Sequence, residues 1–355
     1  MLDLTTKIKL IEWDDQQIGR FDFIKGFYVI GMVLTHAFQR YIYARFQNPT
    51  HTKLDTAIAC LFNAGIVSSA PFLLLACGYD YRRKSMKNAL RTQTKYLWKP
   101  YLFTALVVGI ASIITMLLGK VDLETTLFRN TLPYILGNTD SWGFHGHNLS
   151  GIGAVWFIVV FVSGGLILNA ILHIRDATVE CIAIIALYCI GSTHLAERFP
   201  FGIGRSCRYV LYMYVGYQMK KRRFFDHEFP LWLFPLVGVA AFAAFMDQWS
   251  DPFSCLLFAV PLLVLLLRID QLRIGWFGGI RWLGRHIMYF CCIHTVAYKV
   301  LPLEAITAYY ADRPFIGCLI VFLLNFAIGI LGCILIDRIK RRRIMKKRQK
   351  AIGGN

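Results

Sequence analysis

About ten times along this chain, an apolar run of roughly 18–23 residues is followed by a short polar or charged loop. Such a run matches the roughly 20 residues a helix needs to cross about 30 Å of hydrocarbon. In lipid, every backbone N–H and C=O of such a run must be bonded inside the protein, which leaves helix as its conformation. The expected fold class is therefore all-α, a polytopic integral membrane bundle of about ten transmembrane helices. The spans are expected near 22–44, 56–79, 98–119, 152–173, 178–193, 206–219, 229–246, 252–268, 281–302 and 314–336. Composition agrees: 56% of residues are apolar, 17% are charged, and the mean hydropathy is +0.50.

Three regions follow from this pattern: an N-terminal segment 1–21, a membrane domain 22–336 and a basic tail 337–355. The first twenty residues are mixed and charged, so no cleavable signal peptide is expected there. The sequence contains no internal repeat or long linker.

The net charge of +18 invites a nucleic-acid partner, but its distribution points to a membrane. Basic residues crowd alternate loops: Arg82, Arg83, Lys84, Lys87, Arg91, Lys95 and Lys99 after the second span, and Lys220 to Arg223 after the sixth. Arg268, Arg273, Arg281 and Arg285 follow the eighth, and a basic tail follows the tenth. The loops between (44–55, 120–151, 194–205, 247–251, 303–313) carry fewer. Positive charge gathers on the cytoplasmic side, so both termini are expected inside a cell (inner) membrane crossed many times. The tail would rest on anionic lipid headgroups. Ten cysteines fall in or beside the spans, which suits small apolar packing residues rather than disulfides or metal ligands.

Ionisable groups inside a span are expensive and are functional candidates by default. Lys25 and His36 in the first span are eleven residues apart, close to three full turns. They therefore project from one face, separated by roughly 16 Å along the axis. Asp22, one turn before Lys25, is a candidate partner for it, and Gly26 and Gly31 thin the helix for a neighbour or a ligand. Spacing alone also fits a lysine reaching to headgroups and a neutral core histidine. A cation at the cytoplasmic mouth with an imidazole at depth suits a phosphate-bearing donor that arrives from inside.

The pattern Asp22-x-x-Lys25-x10-His36 resembles the first helix of the acyltransferase-3 family, membrane enzymes that move acyl groups onto extracytoplasmic sugars and related acceptors. Lys25 stands where the family's pattern has arginine. The resemblance continues in order through Pro71 to Gly78-Tyr79 (with Cys77 in place of serine), Lys99-Pro100-Tyr101, Val155-Trp156-Phe157, Arg205 to Gly216-Tyr217, and Gly284 to Tyr289 and His294 (with Ile287 in place of serine). It implies an acyl-CoA co-substrate, acetyl-CoA foremost, with no bound cofactor and no metal. The acceptor would be a hydroxyl of an extracytoplasmic sugar or polysaccharide, making the activity an O-acetylation of surface glycan.

In that frame His36 is the general base or, alternatively, is transiently acylated. Lys25, Arg82, Arg83, Arg91 and Lys95 are candidates for binding the donor, with Lys99 extending that basic funnel. His294, in the ninth span, sits at a depth that fits either an approach to His36 or a purely structural hydrogen bond, and Trp156 is placed to position a sugar or to sit in the aromatic belt. The 120–151 loop offers Asn138, Asp140 and Trp142 as acceptor contacts, and its His145-x-His147 lacks a third ligand for a metal. The competing class is a transporter or flippase of a glycan or lipid intermediate, which the topology fits equally well, although the paired halves common in transporters are not visible. The sequence leaves the oligomeric state open.

Overall fold

The computed structural model describes residues 7–9, 19, 21–46, 70–120, 122–139, 142–144, 147–230, 232–233, 236–237, 239, 252–272, 274–301, 305–306, 309–310 and 313–352. Over these residues the fold is helical, apart from two small ribbons. β1 (Lys7–Lys9) pairs antiparallel with β4 (Glu228–Pro230), and β2 (Trp142–Phe144) pairs antiparallel with β3 (His147–Leu149).

The longer helices follow the apolar runs, whereas the basic segment expected as a loop after the second span is itself helical. α1 is Asp22–Phe46, and α2 is Ala70–Asp80. α3 (Met86–Gln93) passes through a π-helical turn, Thr94–Trp98, into α4 (Lys99–Leu117). The Ser85 side chain accepts the Asn88 amide and starts α3. α5 (Leu132–Leu136) closes the loop segment and ends at Gly137, whose φ of 60° suits a left-handed cap. α6 (Trp156–Ile171), α7 (Ala177–Gly191) and α8 (Ile203–Lys221) follow, with Asp176 capping α7 through the Thr178 and Val179 amides. α9 (Pro252–Gln271), α10 (Phe277–Arg285), α11 (Ile287–Val300) and α12 (Pro314–Ile352) complete the order.

Among the described residues, three segments are long and apolar enough to cross a membrane: Lys99–Leu117, Gly153–Ile171 and Phe315–Met345. The α2 and α7 helices are apolar but shorter. Two expected spans differ from the structure. The span placed at 281–302 is divided at His286 into α10 and α11, and that at 314–336 continues as one helix through the basic segment to Ile352. Most of the run at 229–246 and the first part of that at 56–79 lie outside the described residues; residues 229–230 belong to β4.

Glycines set two of the helix crossings. A Cβ on Gly26 would overlap the Ile280 carbonyl oxygen, and one on Gly284 would overlap that of Asp22, so α1 and α10 meet backbone to backbone. Gly78 of α2 and Gly216 of α8 do the same against Met213 and Leu75. Gly31, by contrast, has nothing within 4 Å of its Cβ position. Around these crossings a large apolar cluster forms, with Phe21, Ile24, Val29, Leu74, Val210 and Phe290 fully buried. α1 packs against α9, α10, α11 and α12, while α6 and α7 pack on α8.

Candidate functional site

His36 on α1 and His294 on α11 meet inside the bundle. His36 Nδ1 lies 2.9 Å from His294 Nε2, and the rings stack with centroids 5.1 Å apart and an interplanar angle of 12°. The helices that carry them run the same way: Met32 Sδ touches Cys291 Sγ at 3.7 Å, and Tyr298 Oη donates to the His36 carbonyl at 3.3 Å. Cys291, His294 and Tyr298 are positions i, i+3 and i+7 of one face of α11, which is why a single helix supplies all three contacts.

The pair borders a chamber of about 130 Å³ lined by His36, Gly153, Ala154, His294, Thr295, Tyr298 and Lys299. His294 and Thr295 are 1% and 2% exposed, and among the described residues His294 Nδ1 and Thr295 Oγ1 are buried without a hydrogen-bond partner. Unsatisfied polar groups beside a cavity are costly unless a ligand or water completes them. Lys299 Nζ donates to Asn130 Oδ1 at 3.3 Å, linking the chamber's rim to the π-helical turn Thr125–Thr131.

The hydrogen bond between the rings allows two tautomeric arrangements of the neutral pair. When His36 Nδ1–H donates to His294 Nε2, the His36 Nε2 carries a lone pair and can act as a base. When His294 Nε2–H donates instead, His36 carries its proton on Nε2 and can act as an acid. A partner at one ring nitrogen thus selects what the other can do.

Lys25 lies in the first turn of α1, with Nζ 3.7 Å from Asp22 Oδ1, the pairing their spacing predicts. Between Lys25 and His36 the shared face carries Val29 and Met32, 0% and 5% exposed. The straight path along this face is therefore packed, not open.

The basic candidates spread out. Arg82, Arg83 and Arg91 are exposed, and Arg83 Nη1 donates to the Leu172 carbonyl at 3.2 Å, at the end of α6. Lys95 and Lys99 line a different cavity, between α4, α11 and α12. Trp156 does not line the histidine chamber. The Arg205 guanidinium sits 4.5 Å from its ring centroid and Tyr209 packs at 5.7 Å, while Arg205 Nη1 also donates to the Thr139 carbonyl at 3.2 Å.

Asn138 is 3% exposed, and its Nδ2 donates to the Ser150 carbonyl at 3.1 Å, so it braces the loop from within. Asp140 and His145 lie outside the described residues, and Trp142 stands in β2. His147 Nδ1 lies 2.8 Å from Glu124 Oε1, and its ring stacks on Phe128 at 4.2 Å. In the same loop, Asp122 accepts the Thr125 amide, which holds its carboxyl below the ordinary carboxylate range.

Thr295, Tyr298 and Lys299 were not among the sequence candidates. Their signal was present: they follow His294 by one, four and five positions, within a turn and a half of the same helix. Comparison of the chain with protein-family models, with curated proteins and with solved structures finds no match in any of the three.

Proposed function

We propose that this protein is a multi-pass membrane acyltransferase that moves an acyl group, acetyl foremost, from acyl-CoA to a hydroxyl of an extracytoplasmic sugar or polysaccharide. The observation that carries this reading is the His36–His294 hydrogen bond, set beside a small chamber with two unsatisfied polar groups. The first-helix pattern from Asp22 to His36 supports it from the sequence side.

In the proposed reaction, His36 Nε2 removes the proton of the acceptor hydroxyl as its oxygen attacks the thioester carbonyl. His294 holds the imidazole in the base-competent tautomer and shares the positive charge that forms. The carbon–sulfur bond then breaks, and the thiolate leaves with the proton from His36. In this reading the Thr295 hydroxyl, which lines the chamber, donates to the thioester oxygen as charge develops there. The topology in this reading has about ten spans and both termini in the cytoplasm. Lys25 and the Arg82, Arg83 and Arg91 part of the basic loop then face the donor, while Lys299 and the loop around Asn130 face the acceptor.

The test uses purified protein in liposomes, supplied with radiolabelled acetyl-CoA on the Lys25 side and an oligosaccharide acceptor on the other. Transfer of label to the acceptor supports the proposal. Movement of a glycan across the bilayer without transfer, kept in His36→Ala, would overturn it in favour of a transporter.

A further inference from the structure

A second cavity, of about 750 Å³, lies between α4, α11 and α12. It does not belong to the histidine chamber. On α11 it is lined by Tyr289, Cys292, Ile293, Val296 and Ala297, whereas the chamber takes His294, Thr295, Tyr298 and Lys299. At 100° per residue the two sets centre on opposite sides of the helix, so α11 is the wall between them.

The groove is amphipathic along its length. Lys95 and Lys99 line one end, and Lys340 sits 4.1 Å from the centroid of the Tyr289 ring at that same end. No acidic residue lines it among the described residues. Beyond Lys99 its walls are almost wholly apolar, reaching Val107 on α4 and Leu301 at the far end of α11. From Tyr289 to Leu301 the helix rises roughly 18 Å, slightly more than half of a hydrocarbon core of about 30 Å. The groove thus has the depth of one leaflet, with its cations at the headgroup end.

We infer that this groove is a binding site for an anionic glycerophospholipid, whose phosphate is held by Lys95 and Lys99 and whose acyl chain lies against α4, α11 and α12. Charge complementarity selects the headgroup, and length selects a chain of the same leaflet. The site is independent of the acyl-transfer reading, because α11 separates it from the histidines. A lipid there would bridge α4 to the helix that carries His294.

The test measures binding of dipalmitoyl phosphatidylglycerol to the full-length protein in mild detergent, by native mass spectrometry and by titration. Wild type is expected to retain it in preference to dipalmitoyl phosphatidylcholine. The double variant Lys95→Gln/Lys99→Gln should weaken binding by about tenfold or more. Val296→Trp, which fills the groove, should weaken both lipids; if that variant does not elute as a folded protein, Val107→Trp takes its place. Lys221→Gln/Arg222→Gln, which removes two exposed charges at the end of α8, away from the groove, should leave binding unchanged. Equal retention of the two lipids would overturn the inference, as would equal weakening by the α8 variant. Unchanged binding in the filled groove, or full displacement by inorganic phosphate, would also overturn it.

Discussion

His36 and His294 stand 258 positions apart in the chain, yet their ring nitrogens lie 2.9 Å apart. This hydrogen bond joins the helix whose pattern suggested chemistry to a helix near the other end of the chain. It also gives the two imidazoles different expected roles. His36 meets the reacting hydroxyl in the proposed reaction, and His294 sets its tautomer.

His36→Ala is expected to lower acyl transfer by about 100- to 10,000-fold, the range for losing a general base. His294→Gln should cost less and should change the shape of the pH–rate profile, because it alters the partner and not the base. Steady-state transfer assays across pH check both. Wild-type rates in His36→Ala would end its assignment.

Lys25→Ala is expected to raise the apparent KM for acetyl-CoA by about five- to tenfold, the effect of losing one charge contact of ~1 kcal/mol. Lys25→Arg should retain most of the affinity. Equal loss in both variants would show that something other than charge matters at this position.

Met32 fills the face between Lys25 and His36, so a donor arm laid along α1 must displace it. Methionine is flexible enough to move aside. Met32→Leu is therefore expected to be nearly neutral, and Met32→Trp to reduce kcat/KM for acetyl-CoA while overpacking a buried position at a cost of ~1–3 kcal/mol in stability. An active Met32→Trp would mean that the donor reaches His36 by another route.

The glycine crossings make a stability prediction. Gly284→Ala drives a methyl group into the Asp22 carbonyl and is expected to destabilise by ~1–3 kcal/mol. Gly31→Ala meets open space and should be neutral or slightly stabilising. Thermal unfolding in detergent distinguishes the two.

Glu180 on α7 is 4% exposed, and its Oε2 accepts Tyr214 Oη at 3.1 Å and Gln218 Nε2 at 3.5 Å. Tyr214→Phe leaves a buried carboxylate with one donor fewer. A loss of ~1–3 kcal/mol of stability, with acyl transfer unchanged, is the expected result in thermal unfolding and transfer assays.

The sequence alone determined the helices, because apolar runs of membrane length leave the backbone few other ways to satisfy its hydrogen bonds. It also determined that Lys25 and His36 share a face, since helical periodicity is local, and that Asp22 reaches Lys25 one turn away. Tertiary structure decided the rest. Only packing brings His294 to His36, fills the intervening face with Val29 and Met32, and breaks the late span at His286. Only packing turns Asn138 inward and places Lys95 in a groove behind α11 rather than near the histidines. These are contacts between helices distant in the chain, fixed by which glycines let backbones approach and which side chains then interlock. A repeat of 3.6 residues records the direction a side chain faces, but not the helix it will meet.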